Sequence, residues 1–187
     1  MANIVGLVGI GVSGVALLFA IVALASDKWE TITVKGLTSE FKVGLWEMCT
    51  TDGGTTTCVD FEDVDNSIVK EKHKTSADGC KAMIFLAIFT TTGAIVSAVL
   101  VMFVMKEQQI LFFAAGGLNL ASGLFLMIAM ALYVDKIQLL NFRDLEGVFS
   151  YLDNGFYLDI GAWLAAWIAG GFFIAAKCLT KNKVNSS

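Results

Sequence analysis

Four apolar runs decide what this chain can become: residues 4–26, 82–105, 110–134 and 160–178. They hold no Asp, Glu, Arg or His, and their one lysine, Lys177, stands at the far end of the last run. As a helix rising ~1.5 Å per residue, each run is long enough to cross a hydrocarbon layer of about 30 Å. Inside that layer every backbone amide needs a partner within the protein, which leaves the helix as the form open to an isolated run. The polar break from Lys106 to Gln109 is so short that the second and third helices must be antiparallel neighbours. The first run is longer than the roughly 7–15-residue core of a secretion signal and has no basic stretch ahead of it, so it is expected to remain as the first span. Trp163 and Trp167, one turn apart, mark one face of the last span.

Charged residues make up only 16% of the 187. They gather in sections 27–81 and 135–159 and in a short basic tail, so the chain reads as one membrane domain, 1–187. Section 27–81 carries its own folding signals. Trp29 sits where an aromatic anchor meets the headgroups, and the stretch 29–35 alternates like a strand. Phe41, Val43 and Leu45 alternate with Lys42 and Gly44 in the same way. Asp52-Gly53-Gly54 is a pattern for a tight hairpin turn, with threonines on both sides. The two arms of that hairpin bring Cys49 and Cys58 together. Bridged, they close a loop of about ten residues, worth roughly 2–3 kcal/mol. Such a bridge needs an oxidising compartment. It therefore places 27–81 outside the cell, and four spans then place 135–159 outside and both termini in the cytoplasm. The charges agree: the outer sections hold sixteen acids and nine bases, the inner pieces four lysines and Glu107. From 61 to 78, Val64, Ile68 and Val69 are spaced for one face of a short helix, with acids leading and lysines following.

Trp29, then Gly44-Leu45-Trp46, then Cys49 and Cys58, lying between the first two of four spans, resembles the extracellular signature of the claudin and peripheral myelin protein superfamily. Lys81 stands where claudins carry a basic residue at the start of the second span. The length from Trp29 to Lys81 is similar to that of claudins. The resemblance implies a membrane α+β fold. That fold is a left-handed four-transmembrane-helix bundle with a small extracellular antiparallel β-sheet carrying one disulfide. It also implies an aromatic contact to a neighbour from the second outer section, for which Phe149 and Tyr151 are the residues at hand. The tail ends Val184-Asn185-Ser186-Ser187, without the hydrophobic terminus that docks PDZ scaffolds, so no such scaffold is expected.

What the residues do beyond folding divides into sharper and plainer readings. Leu45 and Trp46 read first as membrane-proximal core that seats the sheet. Glu47, Asp52 and Asp60 form part of an acidic cluster that can line a cation-favouring aqueous path, or simply be solvated surface. Asp60, two residues past Cys58 on a braced hairpin, is the leading pore charge. His73 is alone, and cysteines already bonded to each other leave no zinc set. Cys80 reads as a buried thiol. Cys178, beside Lys177 and Lys181, is either a palmitoylation site or an inert thiol. Runs without acids, bases or histidine at midplane argue against a transporter, and Asn119 alone makes no relay. No nucleophile–base pair points to an enzyme, and no cofactor or nucleic acid is expected.

The leading expectation is a claudin-like junction protein of the plasma membrane. It would oligomerise within one membrane and across the cell gap, with lipid and itself as partners. Another claudin-like protein or an ion channel completes the set of partners. The alternatives are an auxiliary ion-channel subunit of the calcium-channel gamma type and a myelin-type adhesion protein.

Overall fold

A computed structural model describes residues 2–35, 39–60, 67–104, 108, 110–136 and 148–185. The elements run α1 (Ala2–Ala25), β1 (Glu30–Val34), β2 (Glu40–Val43), β3 (Glu47–Asp52), β4 (Thr55–Asp60), α2 (Ser67–Val99), a π-helical turn (Leu100–Val104), α3 (Ile110–Lys136), β5 (Val148–Leu152) and α4 (Asn154–Asn185). All four α-helices are long and apolar enough to cross a membrane. The protein is accordingly a multi-pass membrane protein with an antiparallel sheet.

The five strands lie in the order β4-β3-β2-β1-β5, every neighbour antiparallel. The β3–β4 turn is the expected one. Gly53 and Gly54 take φ of 55° and 87°, the left-handed pair that a two-residue hairpin demands and that side chains resist. Opposite each other on these arms, Cys49 and Cys58 form a disulfide with Cα atoms 4.0 Å apart. β5 was not foreseen. Its partner β1 lies far away in sequence, so no local turn signals the pairing.

Two helices begin earlier than the apolar runs suggest. α2 is continuous from Ser67, so Ile68 and Val69 belong to it and not to a separate short helix; Val64 lies outside the described residues. α4 begins at Asn154, which puts Asp159, expected in the outer section 135–159, inside a helix. Polar residues near a helix end mark where water begins, and the backbone ladder continues past them.

The chain divides into two compact units. The first comprises Met1–Ile21, Phe85–Met127 and Gly161–Ser187, and its described elements are all helices. Its core is built of small residues, Ala94, Ala98, Ala115, Ala169 and Ala176, around Phe112 and Phe173. Small residues let helix backbones approach. Buried polar bonds tie the helices: Asn119 Nδ2 donates to Ser13 Oγ at 3.0 Å, linking α3 to α1. Thr91 and Ser122 share a hydroxyl–hydroxyl bond of 2.6 Å, and Ser122 donates to Ala87 O at 3.1 Å, linking α3 to α2. Asn119 thus serves as interhelical glue. Trp163 and Trp167 stack edge to face at 5.5 Å, as their spacing predicts.

The second unit comprises Val22–Ile84 and Ile128–Ile160 and holds the sheet. Trp29, Tyr133, Leu45, Ile84, Val43, Thr31, Asp159, Cys49 and Cys80 are its largest fully enclosed side chains.

Candidate functional site: the sheet and its seat

The motif residues converge on the end of α1. A helix leaves its last carbonyls without intrahelical donors, and in an apolar setting each needs one from elsewhere. Here two indoles supply them. Trp29 Nε1 donates to Ala23 O at 2.8 Å and Trp46 Nε1 donates to Leu24 O at 2.7 Å. The backbone reinforces the junction: Trp29 N donates to Val43 O at 2.9 Å and Gly44 N to Glu47 O at 3.0 Å. Gly44 must be glycine for steric reasons. A Cβ there would stand 2.9 Å from Asp27 Cα and 3.0 Å from Ser26 O, and backbone cannot give way.

Leu45 is fully buried, whereas Trp46 is 45% exposed and reaches the end of α1 through its indole N–H. Both residues lie in the bend between β2 and β3, from which the indole of Trp46 meets Leu24 O. Its ring is covered by the Lys81 ammonium, 4.5 Å from the centroid, and Lys81 also pairs with Asp78 at 3.0 Å. A cation over an aromatic face is worth about 0.5–1 kcal/mol where partly exposed. Lys81 therefore joins α2 to the same junction.

Asp153 was missed by the sequence reading. It precedes α4 and caps it: Oδ1 accepts the Asn154 N–H at 2.7 Å, while Oδ2 accepts the Thr31 hydroxyl of β1 at 2.7 Å. An acid just ahead of a helix was the available signal. The Thr31 hydrogen bond chiefly, then the Asn154 amide and the Lys28 and Lys42 charges, hold this carboxyl below its usual value against some burial. A depressed native pKa stabilises the fold above the ordinary aspartate range, and that contribution disappears as pH falls through the lowered value. Replacing Asp153 with Ala is expected to cost about 1 kcal/mol at neutral pH. The gap to wild type should close on acidification, as read from unfolding midpoints at stepped pH.

Register assigns every strand residue to a face. Glu47 lies directly opposite Asp60, and Cys49 opposite Cys58, on one face. Asp52 has the other parity and sits exposed at the hairpin tip, so the structure separates it from the other two acids. Counting residues from Glu47 was enough to show this. Two carboxylates directly opposed repel at close range unless water or a cation intervenes. The Glu47 carboxylate also lies within 4.8 Å of both sulfurs, but as a disulfide these offer no thiolate to a metal.

At the far edge of the sheet, Phe149 pairs with Thr33 and Tyr151 with Thr31. Thr31 in turn faces Lys42, and Lys42 faces Cys49. Tyr151, Thr31, Lys42, Cys49 and Cys58 are thus one cross-strand row, and the aromatic pair shares the face of Glu47 and Asp60. Both rings are open, at 62% and 51% exposure. With strands about 4.8 Å apart, the acidic and aromatic edges are separated by about 19 Å. Cys80 is buried as expected, and Cys178 is exposed on α4. His73 lies on α2 with side-chain surroundings outside the described residues, as do Glu62, Asp63 and Asp65 entirely.

A family model described as PMP-22/EMP/MP20/Claudin matches residues 3–174. Among curated proteins nothing matches.

Proposed function

The chain belongs to the PMP-22/EMP/MP20/Claudin family, and from that membership we propose that it is a claudin-like cell–cell junction protein. The sheet stands outside the plasma membrane, both termini lie in the cytoplasm, and copies associate side by side and across the gap. The disulfide supports the orientation, since it belongs to an oxidising compartment. The role is non-catalytic: the sheets of several copies wall or seal a paracellular path.

One observation carries the reading. The Glu47–Asp60 pair and the open Phe149 and Tyr151 rings share one face of a sheet whose two edge strands, β4 and β5, each have a strand partner on one side only among the described residues. The acids give that face a preference for cations, and the rings and strand edges give it contacts for a neighbour.

The test is expression in epithelial cells without junction strands. Strands at cell contacts in freeze-fracture support the proposal. Diffuse label with altered channel gating favours the auxiliary-subunit alternative. Where strands form, Asp60→Lys reverses one charge. A unit charge is worth about 1 kcal/mol at 4 Å in water, so Na⁺ over Cl⁻ permeability is expected to fall roughly tenfold after screening. The dilution potential reads this directly, and unchanged selectivity removes Asp60 from the path.

A further inference from the structure

Asp159 is the only acid in α4, and it is wholly buried. Neither of its oxygens has a hydrogen-bond partner among the described residues. One ionisable group is placed against it among the described residues. Cys80 on α2 is close enough to interact with it electrostatically, and Tyr133 on α3 interacts in turn with Cys80 and with Glu30 on β1. None of these is a cation, and α1 has no ionisable side chain. Cys80 directs its hydrogen to Ala129 O at 3.2 Å, and the Tyr133 hydroxyl is itself without a partner among the described residues.

An ionised carboxylate enclosed in this way, with no donor and no counter-charge, would consume a large share of a domain's net stability. The same group carrying its proton is neutral and tolerable. An acid retained inside a membrane-protein helix is also a functional hypothesis by default. We propose that Asp159 is a proton-sensitive lock on the sheet-bearing unit. Protonated, it lets α4 close against α2 around it; losing the proton as pH rises loosens that packing. The lock does not depend on the junction reading.

The sign follows from linkage. In the unfolded chain an aspartate is ionised above about pH 4. Folding with the carboxyl neutral takes up a proton, so stability falls as pH rises. One proton per molecule corresponds to a folding equilibrium that drops up to about tenfold per pH unit.

The experiment uses the full chain in lipid nanodiscs on a Cys178→Ser background. Unfolding midpoint and Cys80 reaction with a maleimide are followed from pH 5.5 to 8.5, the latter normalised to the rate on unfolded chain. The expected result is a midpoint that falls, and normalised Cys80 reactivity that rises, with pH. Asp159→Asn should show a flatter pH profile and be at least as stable as the parent at pH 8.5. The proposal is overturned by parent stability that is flat or rises with pH. It is overturned equally by an Asn variant with the parent's slope. An Asn variant that unfolds also overturns it, because a lock that stores a neutral group accepts a neutral side chain.

Discussion

Trp29→Ala is expected to lower the stability of the protein by about 3–5 kcal/mol, the range for removing a fully enclosed large aromatic. The side chain has no solvent exposure. It packs against Tyr133 at 5.0 Å and Phe156 at 6.2 Å between ring centroids. Its indole N–H also closes the end of α1 on Ala23 O. Around it the backbone ties β1 to the start of α4, with Asp153 N donating to Trp29 O at 2.9 Å and Gly155 N to Lys28 O at 2.8 Å. Truncation leaves a cavity and at the same time removes the shorter of two hydrogen bonds to Ala23 O, which keeps the Ser26 N–H at 3.2 Å. Trp29→Phe separates the two: the ring mostly remains, the donor is lost, and the cost should be nearer the ~0.5–1.5 kcal/mol of one hydrogen bond. Thermal midpoints by size-exclusion chromatography in detergent should fall in the order wild type, Phe, Ala. Equal losses for Phe and Ala would assign the whole effect to the N–H.

The second large effect is loss of the bridge. Cys49→Ser, or Cys49→Ser with Cys58→Ser, should cost about 2–3 kcal/mol, as expected for closing a loop of about ten residues. The consequence is concentrated at one edge. Among the described residues β4 pairs only with β3, and all six of its residues are exposed, so little apolar burial holds it once the bridge is gone. β3 retains β2 as its other neighbour and Cys49 is buried within it. Protease cleavage within β4 should therefore rise sharply in the variants while the helices remain resistant. Reduction of the wild type should reproduce the pattern, and a double variant with unchanged protection of β4 would mean that strand pairing alone holds the edge.

What could be read from the sequence was what is local. The apolar runs specify helices because a lipid-spanning backbone has no alternative. Asp52-Gly53-Gly54 specifies a hairpin because both turn glycines need positive φ, and the hairpin then specifies Cys49 against Cys58. Asymmetry between Leu45 and Trp46 was beyond reach, because which neighbour faces inward depends on where the α1 carbonyls lie. β5 was beyond reach for a related reason: Glu30 meets Leu152 across most of the chain. Asp159 was hidden by using charge to set the start of the last helix, although Asp153 ahead of it is the better start signal. The face shared by Glu47, Asp60, Phe149 and Tyr151 follows from parity once the strand order is known, and the strand order is the part no local pattern encodes.

The indoles at the end of α1 have a consequence for how the protein meets a bilayer of changing thickness. A helix terminus that relies on water must stay within the hydrated layer, and a thicker membrane would drown it. Here Ala23 O and Leu24 O receive their hydrogens from Trp29 and Trp46 and owe nothing to the solvent. Sterol-rich and sterol-poor regions, which differ by a few ångströms in depth, should therefore hold the same seat with the same tilt. The strands carried on it need not be re-aimed when the surrounding lipid changes.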